Sequence, residues 1–263
     1  NAPAIVNVST VFEVDKSNLQ KRAQLRELLR ELYGERGQQL QIPDQDEEGD
    51  DEDSGAEGAT GSGFIIDGSG YIVTNNHVVE KSKKISVRLP DKREFEAKLV
   101  GADPATDVAL LRVEGAHNLP TVAFGDDRRV RVGDWVIAVG NPFGLGGTAT
   151  AGIVSAQGRD VDSAYVGYLQ IDAAINRGNS GGPTFDVYGR VIGVNSVILS
   201  PTGSSVGIGF AIPAEIAKQI TSRLMRGEVI ERGYLGVKIS TPTTEELGAL
   251  GLKADQKGAL VAE

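Results

Sequence analysis

Gly178-Asn179-Ser180-Gly181-Gly182 sets a serine between glycines, downstream of both histidines of the chain, His77 and His117. Glycines beside a serine leave its hydroxyl uncrowded for an approaching carbonyl, and their backbone N–H groups can turn toward a developing oxyanion. A serine hydroxyl becomes a nucleophile when a base takes its proton, and near neutral pH an imidazole is the natural base. No histidine follows Ser180. That excludes the α/β-hydrolase elbow, whose G-x-S-x-G string the segment fits but whose histidine comes last. The order here has to be His, then Asp, then Ser.

Of the two histidines, His77 is the expected base. It lies in Thr74-Asn75-Asn76-His77-Val78-Val79, after a strand signal and beside an apolar run, whereas His117 sits in the connection Gly115-Ala116-His117-Asn118. The imidazole also needs a carboxylate to hold its tautomer and to stabilise the imidazolium. Asp103-Pro104-Ala105-Thr106-Asp107-Val108-Ala109-Leu110-Leu111 offers two. Asp103 precedes proline and reads as a turn residue. Asp107 opens an apolar strand, from which its side chain can point inward, and is the expected partner.

The elements that must position these groups read as mostly strands. Short apolar segments follow one another at barrel or sandwich spacing: Gly63-Phe64-Ile65-Ile66, Tyr71-Ile72-Val73, and residues 85–89, 95–100 and 108–113. After a turn-rich join near 115–125 come residues 135–139, 148–155, 168–171, 190–197 and 207–212. Two such groups predict two small barrels, about 1–115 and 120–212, with catalytic groups supplied from both sides of their seam. Residues 213–226 break the pattern. Proline suits a first helical turn, Ile216, Ile220 and Leu224 make one stripe, and Gly227 stops the helix. An earlier helix is predicted over 16–33, where Leu25, Leu28, Leu29 and Leu32 recur at helical spacing, inside a long insertion spanning about 16–61. Beyond 228, Gly233-Tyr234-Leu235-Gly236-Val237 begins a second segment, too short for an independent core and read as the cut-off start of a domain.

Composition narrows the function classes. The 263 residues contain no cysteine, which excludes thiol catalysis, disulfides and thiolate metal sites, and two histidines argue against a multi-histidine zinc site. No metal or cofactor is expected. The net charge of −9 has one source: residues 44–57 carry nine acids and no base, and the rest balances at 27 acids to 27 bases. The body therefore has no basic field for nucleic acid. The acidic stretch reads as a solvated loop. No apolar run approaches the ~18 residues of a membrane span. Asn1-Ala2-Pro3-Ala4 leads straight into Ile5-Val6-Asn7-Val8, with no signal peptide, as in a mature chain or one given without its leader.

Together, Thr74-Asn75-Asn76-His77-Val78-Val79, Thr106-Asp107-Val108-Ala109-Leu110-Leu111, Val139-Gly140-Asn141-Pro142-Phe143-Gly144 and Asp172-Ala173-Ala174-Ile175-Asn176-Arg177-Gly178-Asn179-Ser180-Gly181-Gly182-Pro183 resemble the HtrA (high-temperature-requirement, Deg-type) serine proteases. Ile208-Gly209-Phe210-Ala211-Ile212-Pro213 fits the same family, and the likeness covers roughly residues 1–227. It implies an all-β fold, a trypsin- or chymotrypsin-like double β-barrel with a C-terminal helix, followed over 228–263 by an incomplete PDZ segment. It implies an ATP-independent endopeptidase that degrades unfolded or misfolded proteins in the periplasm, assembled as a homotrimer or larger cage. It implies His77, Asp107 and Ser180 as the triad, with the N–H groups of Gly178 and Ser180 as the oxyanion hole.

The resemblance further makes Ala174, six residues before the nucleophile, a wall of the specificity pocket, opposite the loop 204–210 with Ile208 and Phe210. An uncharged, small lining predicts cleavage after Val, Ala or Ile. Tyr234, Leu235, Gly236 and Val237 resemble the loop in which a PDZ module's backbone N–H groups capture a peptide carboxylate. The glycine-rich 144–147 and the loop 158–167 could hold the site incompetent until a peptide reorganises them. A competing reading is a chaperone-like binder of unfolded chains in which proteolysis is secondary. An α/β-type esterase fails on triad order and on the lack of alternating helices.

Overall fold

The computed structural model of the chain describes residues 2–12, 59–141, 147–161, 163, 165–176, 178–200, 205–233, 236–253 and 256–262. The helix predicted over 16–33, the acidic stretch 44–57, residues 144–146 and Tyr234-Leu235 lie outside the described residues. Two compact units divide the chain, Asn1–Ile230 and Glu231–Glu263.

The first unit holds two closed six-stranded barrels. Strands β1 (Ile5–Phe12), β2 (Thr60–Asp67), β3 (Tyr71–Asn75), β4 (Ser82–Arg88), β5 (Glu94–Asp103) and β6 (Val108–Val113) close one in the order β1-β2-β3-β6-β5-β4. Strands β7 (Trp135–Gly140), β8 (Thr148–Arg159), β9 (Tyr168–Ile171), β10 (Pro183–Asp186), β11 (Val191–Ile198) and β12 (Gly209–Pro213) close the other in the order β10-β11-β12-β9-β8-β7. Closure leaves no open edge, which is how short strands of this kind stay paired without a partner chain.

Side chains alternate along a strand, so one short apolar run can serve two cores. Phe64 packs in a cluster shared with residues of both barrels, while the next residue, Ile65, belongs to the interior of the first barrel. Leu110 and Leu111 divide in the same way. The second barrel has its own interior in Val136, Ala138, Val154, Ile171 and Ile192, and sends Tyr168, Phe185, Val194 and Ile212 to the shared cluster. The barrels are therefore joined by an apolar core of their own. Each fully buried large side chain there contributes about 1.5–3 kcal/mol, so the seam is not free to open.

Among the described residues, two α-helices complete the unit. A single turn, α1 (Asn76–Val79), follows β3 directly. The terminal helix, α2 (Ala214–Met225), buries Ala214, Ala217, Ile220, Thr221 and Leu224, of which Ala217, Ile220 and Leu224 join the shared core. The expected stripe holds at Ile220 and Leu224, and Ile216 is partly buried at its margin. The helix ends as the sequence suggests at Gly227: Gly227 N–H donates to the Leu224 carbonyl at 2.9 Å and Glu228 N–H to that of Arg223 at 3.1 Å. This paired closure satisfies two carbonyls that the helix leaves open.

The second unit pairs β13 (Lys238–Ser240) with β14 (Leu260–Ala262) and carries α3 (Thr244–Ala249). A capping box starts that helix, with Glu246 N–H donating to Thr243 Oγ1 at 3.3 Å and Thr243 N–H to Glu246 Oε2 at 2.7 Å. Of the four residues expected in a carboxylate loop, Gly236 and Val237 are described, and Val237 is exposed.

Candidate active site

His77 is set on α1 immediately after β3, so the strand of one barrel delivers it to the barrel's end. Asp107 comes from the turn between β5 and β6. Thr106 N–H donates to the Asp103 carbonyl at 3.2 Å, Asp107 N–H to that of Pro104 at 3.3 Å, and Thr106 Oγ1 to Asp103 Oδ2 at 2.6 Å. Asp103 is thus a buried turn former. Asp107 stands in the left-handed region, with φ of 56°. Such a conformation costs on the order of 1–3 kcal/mol unless its surroundings hold it. Here they do: the Asp107 carbonyl accepts from Asn76 N–H at 3.1 Å and from Asn75 Nδ2 at 2.9 Å.

The strained turn aims the carboxylate at the imidazole. Asp107 Oδ2 lies 2.8 Å from His77 Nδ1, and Asp107 Oδ1 accepts the backbone N–H of His77 at 2.9 Å. Two points of attachment fix both ring and backbone. The Asp107 side chain is 18% exposed and that of His77 46%, so the carboxylate is sheltered while the imidazole faces the surface. With Nδ1–H committed to the carboxylate, Nε2 is left as the basic atom.

Ser180 joins them through a residue that the sequence reading missed. Ser196, buried on β11, donates its hydroxyl to Asp107 Oδ2 at 2.7 Å, and its carbonyl accepts the Ser180 hydroxyl at 3.3 Å. A serine inside an apolar strand 16 residues past Ser180 carries no local signal of this. Ser196→Ala removes one charge-assisted donor from the carboxylate. It is expected to lower kcat about tenfold with KM nearly unchanged, read from steady-state peptide hydrolysis.

The turn that carries Ser180 has a regular bonding pattern. Asn179 N–H donates to the Asn176 carbonyl at 3.0 Å, and Gly181 N–H to that of Asn195 at 2.8 Å. Among the described residues, no hydrogen bond is made by the N–H of Gly178 or of Ser180. The two groups expected to face an oxyanion are the two left uncommitted. Gly178 has φ of 90°, which only glycine adopts readily.

Gly181 and Gly182 are glycine for a different reason from the one their position beside the serine suggests. A Cβ at Gly181 would collide with the Ser62 carbonyl and the Thr74 hydroxyl of the first barrel, and one at Gly182 with the Val139 carbonyl of the second. They let the turn lie flush against both barrels. Gly181, at φ of 83°, also needs the left-handed region. Gly181→Ala is therefore expected to cost about 3–5 kcal/mol, measured as a lowered denaturant midpoint.

The residues expected to line a specificity pocket are placed less uniformly. Ala174 is half-buried, and its carbonyl accepts Thr150 Oγ1 at 2.9 Å. Its neighbour Ile175 packs directly beneath Gly209, where an added Cβ would meet it at 2.9 Å. Ile208 is half-buried against the shared core. Phe210, 4% exposed, is not brought to the surface with them: its ring sits in that core, edge-on to Tyr168 at 6.3 Å. Among the described residues, no cluster of His, Asp and Glu could hold a metal ion.

Two barrels with a His–Asp pair on one and a glycine-set serine on the other define the trypsin-like peptidase class, and the family described as a trypsin-like peptidase domain matches residues 61–194. Relatives named probable periplasmic serine endoprotease DegP-like include that of Bartonella henselae, 55% identical over 206 residues, 78% of this chain and 41% of the relative. That of Rickettsia conorii is 47% identical over 267 residues, 99% of this chain and 51% of the relative. The solved structure titled HtrA-type protease AlgW with tripeptide superposes with a TM-score of 0.77 at 38% identity, over 99% of this chain and 72% of that one. The form with decapeptide gives 0.74 at 36%, over 100% and 76%. This chain belongs to the HtrA-type, DegP-like serine proteases. It spans about half, or somewhat less, of the length of those two DegP-like relatives.

Proposed function

We propose that this chain is the protease portion of an ATP-independent serine endopeptidase, acting in the periplasm on unfolded or misfolded polypeptides. The observation that carries the reading is the double attachment of His77 to Asp107 beside Ser180, with the N–H groups of Gly178 and Ser180 uncommitted among the described residues. The reaction requires Ser180 Oγ to exchange its bond to the Ser196 carbonyl for one to the imidazole. His77 Nε2 takes the proton as Oγ bonds to the substrate carbonyl carbon, and the carbonyl oxygen becomes an anion facing the two N–H groups. The proton then passes to the departing amine, leaving an acyl-enzyme that water hydrolyses by the same route.

The half-buried, uncharged Ala174 and Ile208 support cleavage after Val, Ala or Ile. We read Glu231–Glu263 as the opening of a PDZ module and the protein as a homotrimer, both by likeness to the family. Among the described residues, no helix is long and apolar enough to cross a membrane. The test is incubation with unfolded casein and, separately, with a fluorophosphonate. Peptides ending in small aliphatic residues, and a phosphonate mapped by mass spectrometry to Ser180, are expected. Peptides ending in Lys or Arg would overturn the preference, and a label elsewhere would overturn the nucleophile.

A further inference from the structure

Ser62 lies on β2 in the first barrel and is fully buried. Each of its polar groups is spent across the seam or beside it. Its N–H donates to the Ser180 carbonyl at 2.8 Å, its hydroxyl donates to the Gly178 carbonyl at 2.5 Å and accepts Asn141 N–H at 2.7 Å, and its carbonyl accepts Thr74 Oγ1 at 2.7 Å. One residue of one barrel therefore holds two carbonyls of the other barrel's nucleophile turn.

The choice of carbonyls matters. Three consecutive peptide units run from Gly178 to Gly181. The first is gripped at its carbonyl by Ser62 Oγ and at its N–H by the Asn176 carbonyl. The second is gripped at its carbonyl by Gly182 N–H and, at 3.5 Å, by Asn195 Nδ2. The third is gripped at its carbonyl by Ser62 N–H and at its N–H by the Asn195 carbonyl. The Ser180 N–H belongs to the second unit, whose two neighbours are both held by Ser62. The Gly178 N–H enters the turn through the one residue whose carbonyl Ser62 Oγ pins. Neither N–H can be presented to an anion in a fixed direction unless these carbonyls stay where they are.

We infer that Ser62 is a positioning residue for the oxyanion hole, aligning the Gly178 and Ser180 N–H groups from the opposite barrel without touching substrate. The inference rests on the proposed proteolytic reading. Its consequence is selective: a loosened turn lowers stabilisation of the anionic transition state and leaves the ground-state binding of peptide, and the His77–Asp107 pair, as they were.

The test uses Ser62→Ala and Ser62→Cys in the full chain. Alanine deletes the hydroxyl. Cysteine keeps the shape with a weak donor, and serves as the second variant should alanine fail to fold. Three quantities are measured: steady-state hydrolysis of a fluorogenic peptide cleaved after Val, the inhibition constant of a tripeptide boronate ending in the valine analogue, and the pH–rate profile. Expected are a fall in kcat of about 10- to 100-fold and an equal loss of boronate affinity, with KM within about twofold and the pH midpoint unmoved. Boronate affinity within about twofold of the parent in both folded variants, or a rise in KM with kcat intact, would overturn the inference. A parent chain that neither cleaves the peptide nor binds the boronate would instead overturn the reading beneath it.

Discussion

Replacing Ser180 with alanine is expected to slow peptide hydrolysis by about 10⁶-fold while leaving the fold and polypeptide binding in place. Only Oγ is lost, and its one hydrogen bond among the described residues, to the Ser196 carbonyl at 3.3 Å, is long and weak. None of the bonds that shape the turn uses the Ser180 side chain: Ser62 N–H donates to the Ser180 carbonyl, Ser62 Oγ to that of Gly178, Gly181 N–H to that of Asn195, and Gly182 N–H to that of Asn179. Alanine keeps every one of them. The uncommitted N–H groups remain as well, so a residual rate above that of water is expected from oxyanion stabilisation alone. The measurement is turnover of a Val-ending peptide, with aggregation of an unfolded client followed in parallel. Proteolysis lost and aggregation still suppressed would show that holding and cutting are separable. A variant that retains more than about a hundredth of the parent rate would remove Ser180 from the nucleophile's role.

The parts of this protein legible in its sequence are those whose cause is local. Phe64-Ile65 and Leu110-Leu111 read as strands because both faces of those strands are buried. The helix from Ala214 to Met225 reads from its stripe and its flanking proline and glycine. The order of His77, Asp107 and Ser180 excludes the α/β-hydrolase elbow without any structure. The seam is different. Ser62 sits in Gly61-Ser62-Gly63, a string that looks like a turn, and its partner Gly178 lies 116 positions away. Asn195 and Ser196 are polar residues inside an apolar strand, with nothing nearby to indicate that they back the nucleophile turn and the carboxylate. Pairings between barrels depend on how two closed sheets meet, and periodicity within a segment has no access to that. The same limit explains Phe210. Strand alternation turns its ring inward to Tyr168, whereas a position in a loop would have allowed it to line a pocket.

Asp107→Asn is expected to lower kcat by about 10⁴-fold with little change in stability. The reason is an inventory of donors. Three groups converge on the carboxylate: the His77 backbone N–H on Oδ1, and His77 Nδ1–H with the Ser196 hydroxyl on Oδ2. A carboxylate accepts all three, whereas an amide offers one acceptor and two donors. If its NH₂ faces His77 Nδ1, the ring must accept there and carry its proton on Nε2, the atom that has to receive the proton of Ser180. If its NH₂ faces the other way, it confronts the backbone N–H of His77, donor against donor. Either arrangement spoils the base, by the wrong tautomer or by a displaced ring. The backbone, by contrast, should tolerate the change. Asparagine adopts the left-handed region about as readily as aspartate, so the φ of 56° and the two bonds to the Asp107 carbonyl survive. Pre-steady-state acylation, with the denaturant midpoint as control, separates the two effects. A folded variant within about tenfold of the parent rate would mean that Asp107 holds the turn and contributes nothing to the chemistry.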